Sequence, residues 1–407
     1  MIPLQDAQQY VLGLCEPLPL RALPLATALG AVTASPIDAP EAVPPFDNTA
    51  VDGYAVQAAD TASAPVELDV VGTLAAGRAS DLIVAPGQAL RIMTGAPLPE
   101  GVDAIVMVED TVALDGGKRV RIGQAVKAGT AVRHVGDDVK PGERVLDAYV
   151  QLRPAHLGVL ASLGITELLV HPRPRVGVLS TGDELVSDGS PLAPGQIRES
   201  NKAMLLGLVA QAGGEPVDLG VVRDDEDALV AALTDACARC DAILTSGGVS
   251  MGDFDIVKAV LERVGSMRWM QIAIKPAKPF AAGTLHLGQR PVPLFGLPGN
   301  PVSALVSFEV LARPALRKLA GHRQWHRTTV PAVTDDTMHR QPDGKLHLVR
   351  TYGQFGADGR WHVRVTGPQA SHQLAATAAA NSLALLPDGD GVDAGAEVDV
   401  LFLWPVE

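Results

Sequence analysis

The sequence predicts a multidomain chain of class α/β plus β, built around a parallel α/β sheet domain. Three observations carry this expectation. From residue 175 to about 320, short apolar runs alternate with helix-period segments, the pattern of parallel strands joined by right-handed crossovers. On both sides, in 66–150 and 324–407, short β-favouring runs are split by Gly and Pro, as in small all-β domains. A chain of 407 residues also exceeds one ordinary domain.

Each element follows from local pattern. Residues 4–15 read as a short amphipathic helix, followed by punctuation at Pro36, Pro40, Pro44 and Pro45. Val66–Val71, Ala104–Val108 and Arg119–Ile122 read as strands. Residues 153–164 read as a helix, with Pro154 near its start and Gly164 as a C-cap. The apolar run Arg175–Ser180 predicts a buried strand, and Ser200–Gly213 a helix with Leu205, Leu208, Val209 and Ala212 on one stripe. Pro216–Val222, Asp241–Thr245 and Val292–Phe295 continue the strands. Helices are predicted over Glu226–Cys240, over Phe254–Val264 (closed by Gly265) and over Pro301–Leu319. Leu346–Thr351, Trp361–Val365, Leu383–Leu386 and Val398–Leu403 return to strand patterning. The expected division is a small mixed domain (1–42 with 139–174), a mainly β domain (43–138), the α/β domain (175–323) and a C-terminal β domain (324–407).

Composition narrows the function. The formal net charge is −13, which argues against a general nucleic-acid or membrane-surface binder, since either needs a basic face. Three cysteines suit a reducing compartment rather than a disulfide scaffold. No basic leader or long apolar run suggests a signal peptide or membrane span, so a cytoplasmic location is expected.

Ligands of open parallel sheets sit beyond the carboxyl ends of the strands. Three loops leave strands at that edge. The first holds Ser180, Thr181, Gly182, Asp183 and Glu184. The second holds Ser246, Gly247, Gly248, Ser250 and Asp253, with Asp255 just beyond. The third holds Pro298, Gly299, Asn300 and Pro301. Asn300 suits an N-cap and Pro301 the first helical position, so free N–H groups and the positive helix end would face an anion. The glycines and serines of the second loop could cradle phosphate. That loop also contains Gly248-Val249-Ser250-Met251-Gly252, which matches the G-x-S-x-G elbow of serine hydrolases, although His286, His322 and His326 sit in no convincing loop. Asp183, Glu184, Asp253 and Asp255 could place Mg²⁺ beside a ligand phosphate. Lys275 and Lys278, stiffened by Pro276 and Pro279, form a natural anion site in so acidic a chain. Cys237 and Cys240 form C-x-x-C on a helix stripe without a second pair, and read as buried structural thiols. Pro44–Tyr54 (PPFDNTAVDGY) is a turn-like tract unusually rich in Asp and Asn near aromatics.

Eight segments in order, PPFDNTAVDGYA, RIMTGAPLP, VGDDV, STGDEL, TSGGVSMGD, IKPAKPF, GLPGNPVSA and GPQASH, resemble the molybdopterin molybdenumtransferase family, which includes MoeA and the E domain of gephyrin. The resemblance implies an enzyme that inserts molybdenum from molybdate into adenylylated molybdopterin and releases AMP, assisted by Mg²⁺ or Zn²⁺. It implies a MogA-like α/β domain, a barrel-like C-terminal domain and a homodimer with its cleft between subunits. A separate MogA-like adenylyltransferase and molybdoenzyme acceptors would be partners. Carried over by position, Asp52, Thr94, Asp138, Glu184, Asp224 and Asp255 match functional polar residues, with Glu184 and Asp255 at the metal. Lys275 and Lys278 match molybdate-binding lysines, Pro298 and Pro301 cleft-shaping prolines, and Arg350 and Ser371 further oxyanion contacts. Val51, Ala277 and Gln271 depart from the family pattern, where Met, Gly and, in some members, Lys stand. A gephyrin-like scaffold without catalysis is the alternative class.

Overall fold

The computed structural model describes residues 1–78, 81–249 and 256–404. Continuous apolar runs become buried strands at the centre. The α/β domain holds β1 (Arg175–Thr181), β2 (Glu215–Val222), β3 (Ala242–Ser246), β4 (Gly265–Gln271), β5 (Pro279–Leu285) and β6 (Val292–Leu297), in the order β2-β1-β3-β6-β5-β4. The first four strands in that order run parallel. β5 and β4 add an antiparallel edge, so the sheet is mixed rather than purely parallel. This hairpin escapes sequence reading because its turn carries the proline-stiffened lysine segment and β4 does not alternate cleanly between buried and exposed residues.

Helices cover both faces. α1 (Asn201–Gln211) buries Leu205, Leu208 and Val209 on one side, as its stripe predicts. α2 (Glu226–Arg239) and α3 (Ile256–Val264) bury Leu229, Leu233, Val257 and Val260 on the other. Asp225 caps α2 by accepting the Ala228 N–H at 2.7 Å. The helix predicted over Pro301–Leu319 forms α4 (Pro301–Ser307) and α5 (Arg313–Leu319), joined by a π turn at Phe308–Ala312. Cys237 and Cys240 are buried free thiols in the α2 core, as expected.

The first helix, Leu4–Gly13, places Ala7 and Val11 in the α/β core and donates Gln8 Nε2 to Val310 O at 2.9 Å. The small domain beside it has its own core of Ala28, Ala31, Leu146, Leu152, Leu160, Leu168 and Val170. The mainly β domain is a six-stranded mixed sheet with separate cores around Tyr54 and Ile92.

The C-terminal domain is a closed five-stranded barrel. Leu346–Phe355 pairs with Trp361–Val365, followed by Thr329–Thr334, Glu397–Phe402 and Ser382–Leu386, which returns to Leu346–Phe355. Closure removes open strand edges. The short strand Ile274–Lys275 pairs in parallel with Leu346–His347, so the lysine segment is stitched to the barrel. No helix among the described residues is long and apolar enough to cross a membrane.

Candidate functional site

The three loops predicted at the carboxyl edge converge. At the end of β1, Ser180 Oγ donates to Glu199 Oε1 at 2.9 Å, and the same oxygen accepts the Lys202 N–H at 2.7 Å. Gly182 has φ +143°, and a side chain there would meet the Glu184 carboxylate, which folds back over it. Asp183 Oδ1 accepts the Asp224 N–H at 3.4 Å, which gathers Asp183, Glu184 and Asp224 at the β1/β2 end. At the end of β3, Gly247 has φ +95° and donates its N–H to Leu297 O at 3.1 Å, binding the second loop to the third.

Asn201 ties these loops together. Its Nδ2 donates to Ser246 Oγ at 2.8 Å and to Gly299 O at 2.6 Å, while its Oδ1 is buried without a partner among the described residues. Because Gly299 O can only accept, the amide orientation is fixed. Sequence reasoning missed Asn201 and Glu199. The only local signal is the polar Glu199-Ser200-Asn201 run at the start of α1, which reads as a helix cap.

The third loop departs from expectation in one respect. Asn300 stands at the N-cap and Pro301 at the first helical position, but the Asn300 side chain makes no capping bond. The Val302 N–H donates instead to Ser371 O of the barrel at 3.1 Å. Part of the anticipated anion-binding helix end is thus capped by the barrel loop, which brings Ser371 to the crevice.

Beside that contact lies a pocket of ≈ 380 Å³ lined by Lys275, Lys278, Ser303, Lys345, Gln369 and Ser371, among others. Lys275 and Lys278 are exposed, and neither forms an ion pair with a described residue. Lys345 is a third cation that sequence reading did not identify. Its Nζ pairs with Asp343 at 2.7 Å, and its carbonyl accepts from the buried Arg340 at 2.8 Å. The Lys345 ammonium, followed by burial and then His347, acts on Asp343; the net effect holds its carboxyl far below the usual range. Ala277 adopts φ +77°, a left-handed conformation that explains why Gly would be preferred there. A larger neighbouring pocket of ≈ 600 Å³ shares Lys275, Pro276 and Gln369 and extends the basin past His339 and His347.

Arg350 is 1% exposed and does not line this pocket. Its guanidinium donates to Gln369 Oε1, Gln373 O, Thr377 Oγ1, Pro368 O and Ala370 O. The expected direct oxyanion contact is revised on this basis: every N–H of the fork is spent on the loop that carries Ser371. Burial lowers its pKa.

The second cluster lies in the mainly β domain. Asp52 Oδ1 accepts both the N–H and the Oγ–H of Thr94, each at 2.7 Å. These two bonds hold Asp52 below the usual carboxylate range. The Asp138 N–H donates to Val43 O at 3.0 Å, just before the tract that carries Asp52. Asp47 accepts the Val135 N–H at 2.7 Å and pairs with His134 at 3.0 Å, which closes the PPFDNTAVDGY tract onto VGDDV.

Ser250, Asp253 and Asp255 lie outside the described residues, so the hydrolase elbow and the metal pair Glu184–Asp255 are described only in part. Among the described residues no three His, Cys, Asp or Glu side chains form a metal-binding group. The histidines a hydrolase would need stand elsewhere. His286 follows β5 where Leu285 pairs with Val292, at the amino edge of the parallel strands. His322 bonds to Arg317 and approaches Gly213, which precedes β2.

Fold and site define a multidomain protein whose α/β domain and attached barrel build a lysine-lined pocket. Comparison with known proteins gives the family. Residues 2–164 match the MoeA N-terminal region (domain I and II), 177–318 a probable molybdopterin binding domain, and 333–403 the MoeA C-terminal region (domain IV). A molybdopterin molybdenumtransferase of Haemophilus influenzae is 39% identical over 402 residues, 98% of both chains. Molybdopterin molybdenumtransferase 2 of Mycobacterium tuberculosis is 40% identical, covering 98% of this chain and 99% of its own. A crystal structure of a molybdopterin biosynthesis MoeA protein from Pyrococcus horikoshii superposes with TM-score 0.77 at 29% identity, over 100% of both chains. The chain belongs to the molybdopterin molybdenumtransferase (MoeA) family.

Proposed function

We propose that this chain is a molybdopterin molybdenumtransferase: it inserts molybdenum from molybdate into adenylylated molybdopterin and releases AMP. The observation that carries this reading is the pocket where Lys275, Lys278 and Lys345 meet Ser371, opening beside the glycine-serine crevice of the α/β domain. Molybdate is a small dianion, and flexible ammonium groups can bind it without fixing one geometry. Ser180, Thr181, Gly182, Ser246, Gly247, Gly248 and Gly299 line the crevice as binding residues for the pterin phosphate and adenylate, with Ser250 and Asp253 assigned there by sequence alone. Pro298, Asn300 and Pro301 shape its wall.

Catalysis in this reading is positioning and electrostatics rather than acid–base work. Asn201 fixes the second and third loops against each other, and Arg350 fixes the barrel loop that carries Ser371. Glu184 with Asp255 would hold a divalent cation that neutralises the scissile phosphate, with Asp183 and Asp224 beside them adding negative charge. The all-oxygen donor set suits Mg²⁺ better than Zn²⁺, which favours His and Cys. Asp52, Thr94 and Asp138 belong to a domain with its own core. The reading therefore includes a homodimer, in which these residues face the crevice of a second copy. Cytoplasmic location, a MogA-like adenylate supplier and molybdoenzyme acceptors complete it.

The test is incubation of the full chain with adenylylated molybdopterin, molybdate and Mg²⁺. AMP release is expected, and Lys275→Ala with Lys278→Ala should raise the molybdate concentration needed by about 10-fold or more. Absence of AMP from folded, metal-supplied protein would overturn the reading.

A further inference from the structure

The barrel meets the α/β domain a second time, at the far end of the α4–α5 run. A cavity of ≈ 530 Å³ opens there, lined mainly by arginines and aromatic rings. Arg313, Arg317 and Arg327 supply the cations. The carboxylate paired with them is Glu309, whose side chain is fully buried; it bonds to Arg327 at 2.5 and 2.9 Å and stands 3.8 Å from Arg313. Two guanidiniums therefore share one carboxylate, while Arg317 donates to Gln324 O at 3.0 Å and bonds to His322 at 3.1 Å, so among the described residues positive charge is left over.

The crowding is visible in each group. Arg313 is 9% exposed, its Nε has no hydrogen-bond partner among the described residues, and its Nη1 donates to Trp325 O at 3.2 Å. Burial first, and then the charge of Arg327, push Arg313 down to about 10 and also lower Arg317. His326, which also lines the cavity, is lowered by burial and by Arg313, so it adds no cation at neutral pH. A buried, under-bonded cation cluster favours an incoming anion.

The rest of the lining is largely aromatic. Phe355, at the tip of a barrel strand, is 73% exposed. It packs edge-on against Trp361 at 5.0 Å, and Trp361 packs edge-on against Phe402 at 4.8 Å. An exposed phenylalanine facing arginines is costly in water and useful only against a ring.

We propose that this cavity is a second ligand site, separate from the crevice, for the mononucleotide class: a phosphate ester bearing a planar heterocycle. The arginines take the phosphate through charge-assisted forks, and the aromatic wall takes the ring. The volume is in the range of small-molecule sites. Separation from the lysine pocket follows from the elements that link them. Ser303 and Arg317 lie along one helical run, about 20 Å apart at the rise of a helix. His347 and Phe355 lie along one strand, about 26 Å apart. One mononucleotide cannot span both sites. The site itself does not depend on the transferase reading; only the second binding event in its test, AMP in the crevice, rests on that reading, and a single event that both substitutions weaken still supports the proposal.

Calorimetric titration of the full chain with AMP tests it. Two binding events are expected. Arg317→Gln and Phe355→Ser should each weaken one event by about 10-fold or more and leave the other unchanged. Inorganic phosphate alone and adenosine alone should occupy that site at least ~10-fold more weakly than AMP. A single event insensitive to both substitutions overturns the proposal. So does phosphate matching AMP while Phe355→Ser is silent, since the site would then hold a simple oxyanion. Phe355 is exposed enough to be replaced without loss of fold, and Arg317→Lys, which keeps the charge, guards against a structural effect of Arg317→Gln.

Discussion

Replacing Arg350 isolates the most consequential revision to the site. Arg350→Met keeps the length of the side chain and removes the fork. Pro368 O then loses its donor, while Ala370 O keeps the Gln373 N–H, Gln373 O keeps the Thr377 hydroxyl and Gln369 Oε1 keeps the Arg350 backbone N–H, so these three, with Thr377 Oγ1, each lose one bond. A stranded buried acceptor costs roughly 1–3 kcal/mol and each of the four lost bonds about 0.5 kcal/mol, so the fork accounts for about 3–5 kcal/mol. Removing a buried cation that has no carboxylate partner among the described residues returns some of this. A net loss of about 2–4 kcal/mol remains, large for one substitution. Arg350→Lys keeps the charge but has three donors and no fork, and should lose about 1–3 kcal/mol. Urea unfolding followed by tryptophan fluorescence measures this, because Trp361 and Trp404 report on the barrel. Amide exchange in 367–373 should accelerate in both variants, and the molybdate requirement should rise because Ser371 is no longer held at Val302. Wild-type midpoints together with unchanged exchange would refute the argument that the fork organises the loop.

Four further outcomes follow from the same geometry. Asp52→Asn should depress AMP release by about 10–100-fold without changing the circular dichroism spectrum, since Asp52 is exposed and acts through charge. Thr94 holds the Asp52 pKa down, so the charge is present above the usual carboxylate range and is lost only as pH falls through the lowered value; Thr94→Val should shift that acid limb of the rate profile upward. Asn201→Asp sets a buried carboxylate against Gly299 O and should lower stability by about 2–4 kcal/mol, read from the urea midpoint. Burial first, and then Arg317, push His322 down to about 3, well below the ordinary value of about 6.5, so the folded state resists its protonation. Stability should be unaffected by this group above pH ~6.5 and fall as pH drops towards 3, and His322→Gln should flatten that part of the urea-midpoint profile.

The parallel half of the sheet was legible because β1, β3 and β6 are nearly continuous apolar runs, buried on both faces. The β4–β5 hairpin was not, because its defining contact is the pairing Gln271↔Pro279 across a loop that local pattern reads only as a stiff turn. The loops with chemistry were legible from glycine and serine at strand ends. Asn201 was not, since a polar residue at a helix start reads as a cap and only the approach of Gly299 gives it another task. Lys345 reaches the lysine pocket through the pairing of Ile274–Lys275 with Leu346–His347, a long-range register that periodicity does not encode. For Arg350 a signal existed: it shares a strand face with buried Leu348, so period-two alternation already pointed its guanidinium inward.

The roles of the cations follow their chemistry. Lys275 and Lys278 stand exposed at the pocket mouth, where a strongly hydrated point charge can attract a dianion without locking its orientation. The arginines nearby are buried and bonded: Arg340, with 2% of its side chain exposed, holds the carbonyls of Lys345, Leu386 and Pro387, and Arg350 holds those of Pro368, Ala370 and Gln373. A planar fork suits fixed carbonyls, whereas a substrate that must be transferred is better met by groups able to rearrange with it. In a chain of net charge −13, the proposed function would have a few placed cations select an oxyanion while rigid guanidiniums hold the loops that present them.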